Sequence, residues 1–208
     1  MFTGIIQEVG KIVEIEKNFK SIIYSISSSF DTNEIKIGDS VSINGVCQTV
    51  IKKEDNVLTF EAMFETINST NFTNLKKGDF VNTEYAMKLS DKLSGHIVSG
   101  HIDTTGKILS IKEVDNSKVI EIQSPNDFLI EKGSISIDGI SLTVQNLYEN
   151  SFDTVVLPHT FNNTNLKYRK TGDSVNLEFD IFAKYIKKFT EQKAQSKITR
   201  EFLIENGF

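Results

Sequence analysis

The chain has 208 residues, a formal charge of -5 from 28 acidic and 23 basic side chains, and 38% hydrophobic residues, 15 Phe among them. The acidic balance excludes nucleic acid as the main partner, since phosphate binding rests on clustered Lys and Arg, and the apolar content predicts packed structure rather than disorder. The single Cys47 forms no internal disulfide and suits a reducing cytoplasm; no apolar run is long enough for a membrane span, and the opening MFTGIIQEVG lacks a signal peptide's basic start.

In chain order, alternating or β-branched apolar residues predict strands over 22–27, 40–50 and 57–60, and again over 119–122, 134–144 and 152–156. Asn44-Gly45 and Asp138-Gly139, each between alternating apolar runs, predict tight hairpins. The second set of strands repeats the first. Ser42-Ile-Asn-Gly-Val-Cys-Gln-Thr-Val50 matches Ser136-Ile-Asp-Gly-Ile-Ser-Leu-Thr-Val144, an offset of 94. Thr66-Ile-Asn-Ser-Thr-Asn71 matches Thr160-Phe-Asn-Asn-Thr-Asn165, and Gly78-Asp-Phe-Val-Asn82 matches Gly172-Asp-Ser-Val-Asn176, both at that same offset. Nearer the start, Gly10-Lys-Ile12 matches Gly106-Lys-Ile108 at an offset of 96, which places a two-residue deletion in the second copy. Two copies are too few for a solenoid, so the pattern predicts two fused, similar β domains, sandwiches or barrels. After Asp180 the period changes. Phe182, Tyr185, Ile186 and Phe189 recur at helical spacing, Ile198 and Phe202 begin a second stripe, and Gly207 is placed to stop it. Such a helix packs either on its own barrel or on another subunit, because either satisfies the stripe.

Among chemically capable groups, His96 and His101 stand five residues apart, so on a straight strand their rings face opposite ways, and no second cysteine exists. That is a poor zinc set, and no metal site is expected. The glycines before each histidine suggest close approach of backbone to a flat group. Cys47 reads either as a small buried hydrophobe or as a partly exposed thiol. Asp180 has Ala86 as its repeat partner, whereas Glu178 matches Glu84; Asp180 is either a site carboxylate or a helix-start residue. No phosphate loop, nucleophile elbow or metalloprotease pattern is present.

Five ordered blocks carry a resemblance to a known family. Met1-Phe-Thr-Gly-Ile-Ile6, Asn44-Gly-Val-Cys-Gln-Thr-Val50, Ser94-Gly-His-Ile-Val-Ser-Gly-His101, Ile137-Asp-Gly-Ile-Ser-Leu-Thr-Val144 and Leu157-Pro-His-Thr160 resemble riboflavin synthase, as do Asn176-Leu-Glu-Phe-Asp180 and Ala183-Lys-Tyr185. The resemblance covers essentially the whole chain. It implies an all-β fold of two similar six-stranded Greek-key barrels with a C-terminal helix: residues 1–88 a first lumazine-binding barrel, 89–183 a second, and 184–208 a helical segment for oligomerisation. It implies a cytoplasmic transferase without cofactor or metal, which dismutates two molecules of 6,7-dimethyl-8-ribityllumazine. The products are riboflavin and 5-amino-6-ribitylamino-pyrimidinedione. The implied partners are the two lumazines of each site, other copies in a homotrimer, and lumazine synthase. A non-enzymatic lumazine- or flavin-binding optical protein of the same fold is the alternative; such proteins tend to lose the Ser-Gly-His elements kept here.

By the same resemblance His101, His96, Cys47, Ser40 and Asp180 are the catalytic candidates, with His101 the favoured base for deprotonating a lumazine methyl group. Gly100 and Ile102 join His101 in a substrate-contacting segment. Gly4, Ile5 and Ile6 line a pocket, as do Gln48 and Thr49 beside Cys47, and the run Glu61, Ala62, Met63, Phe64, Glu65 and Thr66. In the second copy the corresponding contacts are Lys132, then Ser141, Leu142 and Thr143, and the run Val156, Leu157, Pro158, His159, Thr160 and Phe161. Two departures stand out: Gln48 where the family usually has Leu, and Ser94 where Gly is common. Gln48 either buries an amide in the core or alters ligand contacts.

Overall fold

The computed structural model describes residues 1–29 and 32–195, together with Ile204 and Gly207. Strands β1 (Glu8–Lys17), β2 (Ser21–Ser27), β3 (Ser40–Ile43), β4 (Val46–Glu54), β5 (Val57–Met63) and β6 (Phe80–Tyr85) form a closed barrel in the order β1-β2-β5-β4-β3-β6. Strands β7 (Thr104–Val114), β8 (Ser117–Gln123), β9 (Ser134–Ile137), β10 (Ile140–Leu147), β11 (Ser151–Val156) and β12 (Ser174–Phe179) form a second, with the same connectivity. All pairs are antiparallel. These are the duplicated Greek-key barrels expected from the repeat. Short helices follow β5 and β11, α1 (Phe64–Ser69) and α2 (Pro158–Asn162), and α3 (Ile181–Gln195) follows β12.

The barrels close for reasons visible in the sequence. Asn44 and Gly45, like Asp138 and Gly139, all have positive φ, the requirement of a two-residue hairpin turn that Asn-Gly and Asp-Gly meet at low cost. The register slips by one residue between Ile12 and Glu14 and between Val50 and Lys52, and at the matching positions Ile108/Ser110 and Val144/Asn146. Such bulges bend a strand and raise its twist, which a small barrel needs. Gly10 and Gly106 sit where a Cβ would come within 2.5 and 2.6 Å of the Ile26 and Ile122 side chains, so the repeated Gly-Lys-Ile marks crowding between strands β1 and β2 and its counterpart. Each barrel has its own apolar interior, around Ile12, Ile26, Phe60 and Phe72 in the first and Ile108, Ile122, Phe152 and Leu166 in the second.

An internal twofold relates the barrels. Phe2 and Val98, which are repeat partners, exchange backbone hydrogen bonds of 2.8 and 3.1 Å, and the Gly45 and Gly139 turns abut so closely that a Cβ on either would clash with the other. Around them lies a buried amide network. Asn82 Nδ2 donates to the Asp138 carbonyl at 2.8 Å and Asn176 Nδ2 to the Asn44 carbonyl at 2.9 Å, while Asn71 N–H bonds Asn176 Oδ1 and Asn165 N–H bonds Asn82 Oδ1. Pairing of this kind offsets most of the cost of burying amides, although Asn44 Nδ2 and Asn71 Oδ1 have no partner among the described residues.

Helix α3 starts at Asp180, whose Oδ1 accepts from Phe182 N–H at 2.8 Å. Lys184 reaches Asp103, and Lys187 pairs with Asp127 and lies 4.5 Å from the Phe128 ring centre, so these lysines tie the helix to its own second barrel. The stripe of Phe182, Tyr185, Ile186 and Phe189 is left 56–63% exposed. Of the two packings the spacing allowed, the one on its own barrel is not used for these four residues. Gly207, expected to end the helical region, has φ +81 and donates to the Ile204 carbonyl at 3.2 Å; Ile198 and Phe202 lie outside the described residues. No helix among the described residues is long and apolar enough to cross a membrane.

Candidate active site

Two chain segments cross between the barrels, and each lays its backbone on the other barrel's hairpin. After Phe2, the Gly4 carbonyl accepts from Ser141 N–H on β10 at 2.8 Å. After Val98, the Gly100 carbonyl accepts from Cys47 N–H on β4 at 2.9 Å. A Cβ on Gly4 would stand 2.6 Å from Ser141 Cβ, and one on Gly100 2.5 Å from Cys47 Cβ. Positive φ at both positions makes glycine doubly fitting. Of the glycines before the two histidines, Gly100 lies against Cys47 on β4, and Gly95 against the Thr3 carbonyl and the Ser141 side chain, so what they approach closely includes the protein's own chain. Since Gly4 and Gly100 are repeat partners, the result is two matching candidate sites, one at each barrel's hairpin: the first and the second pocket.

In the first pocket Cys47, half-buried, and Thr49, exposed, share the outer face of β4, and Ser40 pairs with Thr49 across the β3–β4 ladder. His101 follows Gly100 and is exposed, and its N–H bonds the Ser99 hydroxyl at 3.3 Å. The register Val50↔Phe60 runs the end of β5 back toward the level of Cys47, and residues 61–66 continue from there into α1. Among them Met63 and Phe64 are both 59% exposed, an apolar surface suited to a flat ring, whereas Ala62 points into the barrel interior. Ile102 packs partly against the same interior.

The second pocket repeats this frame with different groups. Ser141 stands for Cys47, Thr143 for Thr49, Ile5 for His101, and Leu157 and Pro158 for Met63 and Phe64. Ile5 and Leu157 are exposed; Val156 points inward; Ile6, Leu142 and Phe161 pack partly against the second core. His159 is exposed on α2, with Asn163 as its neighbour, and Lys132, at positive φ, bonds Gln145 Oε1 at 2.8 Å. His96 belongs here: it is buried, its Nδ1 lies 2.7 Å from Ser141 Oγ, and its Nε2 has no protein partner among the described residues. Burial pushes the His96 pKa down, and the Asp180 carboxylate opposes that shift. Asp180 caps α3, as the helix-start reading expected, and its charge also acts on His96.

The two histidines, five residues apart, lie by different hairpins: His96 bonds Ser141, and His101 follows Gly100, whose carbonyl accepts from Cys47 N–H. Gln48 settles on the core side. Its Oε1 accepts from Tyr24 O–H at 3.1 Å and its Nε2 donates to the Cys47 carbonyl, so its side chain faces away from Cys47 and Thr49.

Two further carboxylates emerge. Glu84 on β6 accepts from Thr3 N–H at 2.6 Å, Thr3 O–H at 2.7 Å and Gly4 N–H at 3.0 Å. Glu178 on β12 accepts from Ser99 N–H and O–H, both at 2.6 Å, and from Gly100 N–H at 3.0 Å. Burial raises the Glu84 pKa, and the bonds from Thr3 and Gly4 offset part of that. The match of Glu84 with Glu178 was the available sequence signal, but nothing in the residue type told what they hold. A separate cleft of about 570 Å³ between the barrels, lined by Asn71, Lys76, Phe80, Arg169 and Lys170, contains none of the candidates. Among the described residues no group of three or more His, Cys, Asp or Glu is arranged to hold a metal.

The duplicated barrel is shared with lumazine-binding proteins. The family model for the lumazine binding domain matches twice, over residues 3–86 and 99–180. The riboflavin synthase of Actinobacillus pleuropneumoniae is 43% identical, and that of Bacillus subtilis (strain 168) 38%, each over the whole of both chains. The solved structure of LumP complexed with 6,7-dimethyl-8-(1'-D-ribityl)lumazine superposes with a TM-score of 0.79 at 27% identity, covering 86% of this chain and 98% of that one. LumP complexed with riboflavin gives 0.80 at 26% identity, covering 86% and 99%. The chain belongs to the riboflavin synthase family.

Proposed function

We propose that this chain catalyses the dismutation of two 6,7-dimethyl-8-ribityllumazine molecules, moving four carbons from one to the other. The products are riboflavin and 5-amino-6-ribitylamino-pyrimidinedione. The observation that carries the reading is the pair of related but chemically unequal pockets: like frames suit two copies of one ligand, and unlike groups suit two roles. Holding both rings in register supplies ~7–11 kcal/mol of barrier reduction when orientation is good. His101, exposed beside Cys47, takes the proton from the methyl at position 7 of one lumazine. Cys47 and Ser40 face the ring in the first pocket. His96 and Ser141, hydrogen-bonded to each other, handle proton traffic in the second, with the Asp180 charge acting on His96. Thr49, Thr66 and Thr143 bond ring edges or ribityl hydroxyls.

We assign residues 1–88 and 89–183 to the two barrel domains and 184–208 to oligomerisation. The uncovered stripe on α3 supports a homotrimer, in which the first pocket of one subunit meets the second pocket of its neighbour. A cytoplasmic setting suits the lone thiol, and association with lumazine synthase, which supplies the substrate, fits the chemistry.

The alternative, a non-enzymatic lumazine- or flavin-binding protein of this fold, is disfavoured because Cys47, His96, His101 and Asp180 are all present and the full-length synthases are more similar than LumP. The test is direct. Purified protein given the lumazine alone should develop riboflavin absorbance and fluorescence, and His101→Ala should lower kcat about a hundredfold or more with little change in lumazine binding. Tight binding without turnover would overturn the enzymatic reading; unchanged kcat would remove His101 from the base role.

A further inference from the structure

We infer that Glu84 and Glu178 are reciprocal positioning residues: each is carried by one barrel and sets the pocket wall of the other. Glu84 belongs to β6 of the first barrel, yet the atoms it grips are Thr3 N–H, Thr3 O–H and Gly4 N–H. The Gly4 carbonyl is bonded to Ser141 in the second barrel, and Ile5 comes next. Glu178 belongs to β12 of the second barrel, and it grips Ser99 and Gly100. The Gly100 carbonyl is bonded to Cys47 in the first barrel, and His101 comes next. Both carboxylates are nearly inaccessible, at 2% and 1% exposure, and their three accepted bonds are of the charge-assisted kind.

Glu178 has the sharper consequence. His101 is exposed, and its backbone N–H bonds Ser99 Oγ, a hydroxyl whose own proton goes to Glu178. The place of His101 is therefore fixed through Ser99 and Gly100 by a carboxylate from the opposite barrel. A glutamine at 178 keeps the volume but turns an N–H₂ toward backbone and hydroxyl donors, so at least one bond is lost and the segment loosens.

Cys47 provides a local reporter that does not depend on catalysis, because it is the chain's single cysteine and touches Gly100. In the unliganded full-length protein, Glu178→Gln should raise the rate of Cys47 alkylation by iodoacetamide several-fold. Glu84→Gln, although in the same barrel as Cys47, should leave that rate within about twofold. If the Glu84 variant accelerates alkylation as much as the Glu178 variant, or if neither does, the crossed wiring is wrong. Ser99→Ala, which removes only one of the three donors, replaces Glu178→Gln should the latter fail to fold, and carries the same expectation in weaker form. The kinetic arm alone rests on the synthase reading: Glu178→Gln should lower kcat at least tenfold while the KM for lumazine stays within about threefold. A wild type without turnover would void that arm and leave the alkylation result standing.

Discussion

The two barrels share one backbone and differ in what fills it. The first is built around aromatic bulk: Tyr24 stacks on Phe60 and meets Phe72 edge-on, both at 5.6 Å between ring centres, and Gln48 satisfies the Tyr24 hydroxyl. At the matching positions the second has Ile120, Thr154, Leu166 and Leu142. The hydroxyl and its amide partner are thus present together in one copy and absent together in the other. The pockets diverge in the same manner, with Cys47 and His101 on one side and Ser141, Ile5, His96 and Asp180 on the other. Duplication preserved the positions that the backbone needs (the Asn-Gly and Asp-Gly turns, the crowded glycines, the clamping glutamates) and released those that only need to be mutually compatible.

The largest expected break in this comparison lies at the interface. Asp138, fully buried, meets Arg169 Nη2 at 2.5 Å and Nε at 3.1 Å, and this carboxylate holds the guanidinium pKa above its usual range. The first barrel has no such pair: Asn44 and Leu75 occupy the equivalent places. Arg169→Leu strands a buried carboxylate and should cost about 3–5 kcal/mol in denaturant unfolding. Adding Asp138→Asn imports the first barrel's own solution, so the double variant should recover most of the loss. A double variant as unstable as the single would show that the charge has a role beyond its own neutralisation.

A smaller effect is expected inside the first barrel. Tyr24→Phe leaves the Gln48 carbonyl oxygen without its buried donor, and Gln48→Leu leaves the Tyr24 hydroxyl without its acceptor. Each should cost about 1–3 kcal/mol. Tyr24→Phe with Gln48→Leu makes this core resemble the second, and the coupling should return much of the loss. Strict additivity in the double-mutant cycle would mean that the 3.1 Å contact contributes nothing of its own.

The sequence-level reading reached far into the fold because backbone-dictated residues repeat. Asn44-Gly45 and Asp138-Gly139 announce hairpin turns, and the offset that repeats along the chain announces two like β domains, so hairpins and duplication were legible, whereas the crowding at Gly10 and Gly106 and the internal twofold were not. The departure at Gln48 was visible, but its orientation was not, because strand alternation gives a face only once a register is known. The pairing of His96 with Ser141 rather than with Cys47 was equally hidden. It depends on two segments changing barrels, and no local pattern encodes a crossover. Glu84 and Glu178 could be matched to each other but not to Thr3 and Ser99, contacts made across about 80 residues of chain.

The smallest predicted effect concerns His96, the buried histidine bonded to Ser141. Its folded-state pKa lies below the ordinary value near 6.5 because burial disfavours the imidazolium more than Asp180 favours it. The unfolded chain therefore binds the proton more readily than the folded one. It follows that the neutral ring's contribution to stability is complete above about pH 6.5 and is lost as pH falls through the lowered folded-state value. One proton sets the ceiling on this slope at about 1.4 kcal/mol per pH unit, before any discount for residual solvent contact. Urea midpoints measured between pH 7.5 and 5 should fall with acid in the wild type, and the fall should be shallower in His96→Asn, which keeps a polar group near Ser141 but cannot titrate. A steeper acid loss in His96→Asn would reverse the sign and mean that Asp180 outweighs burial, making His96 the charged member of its pocket.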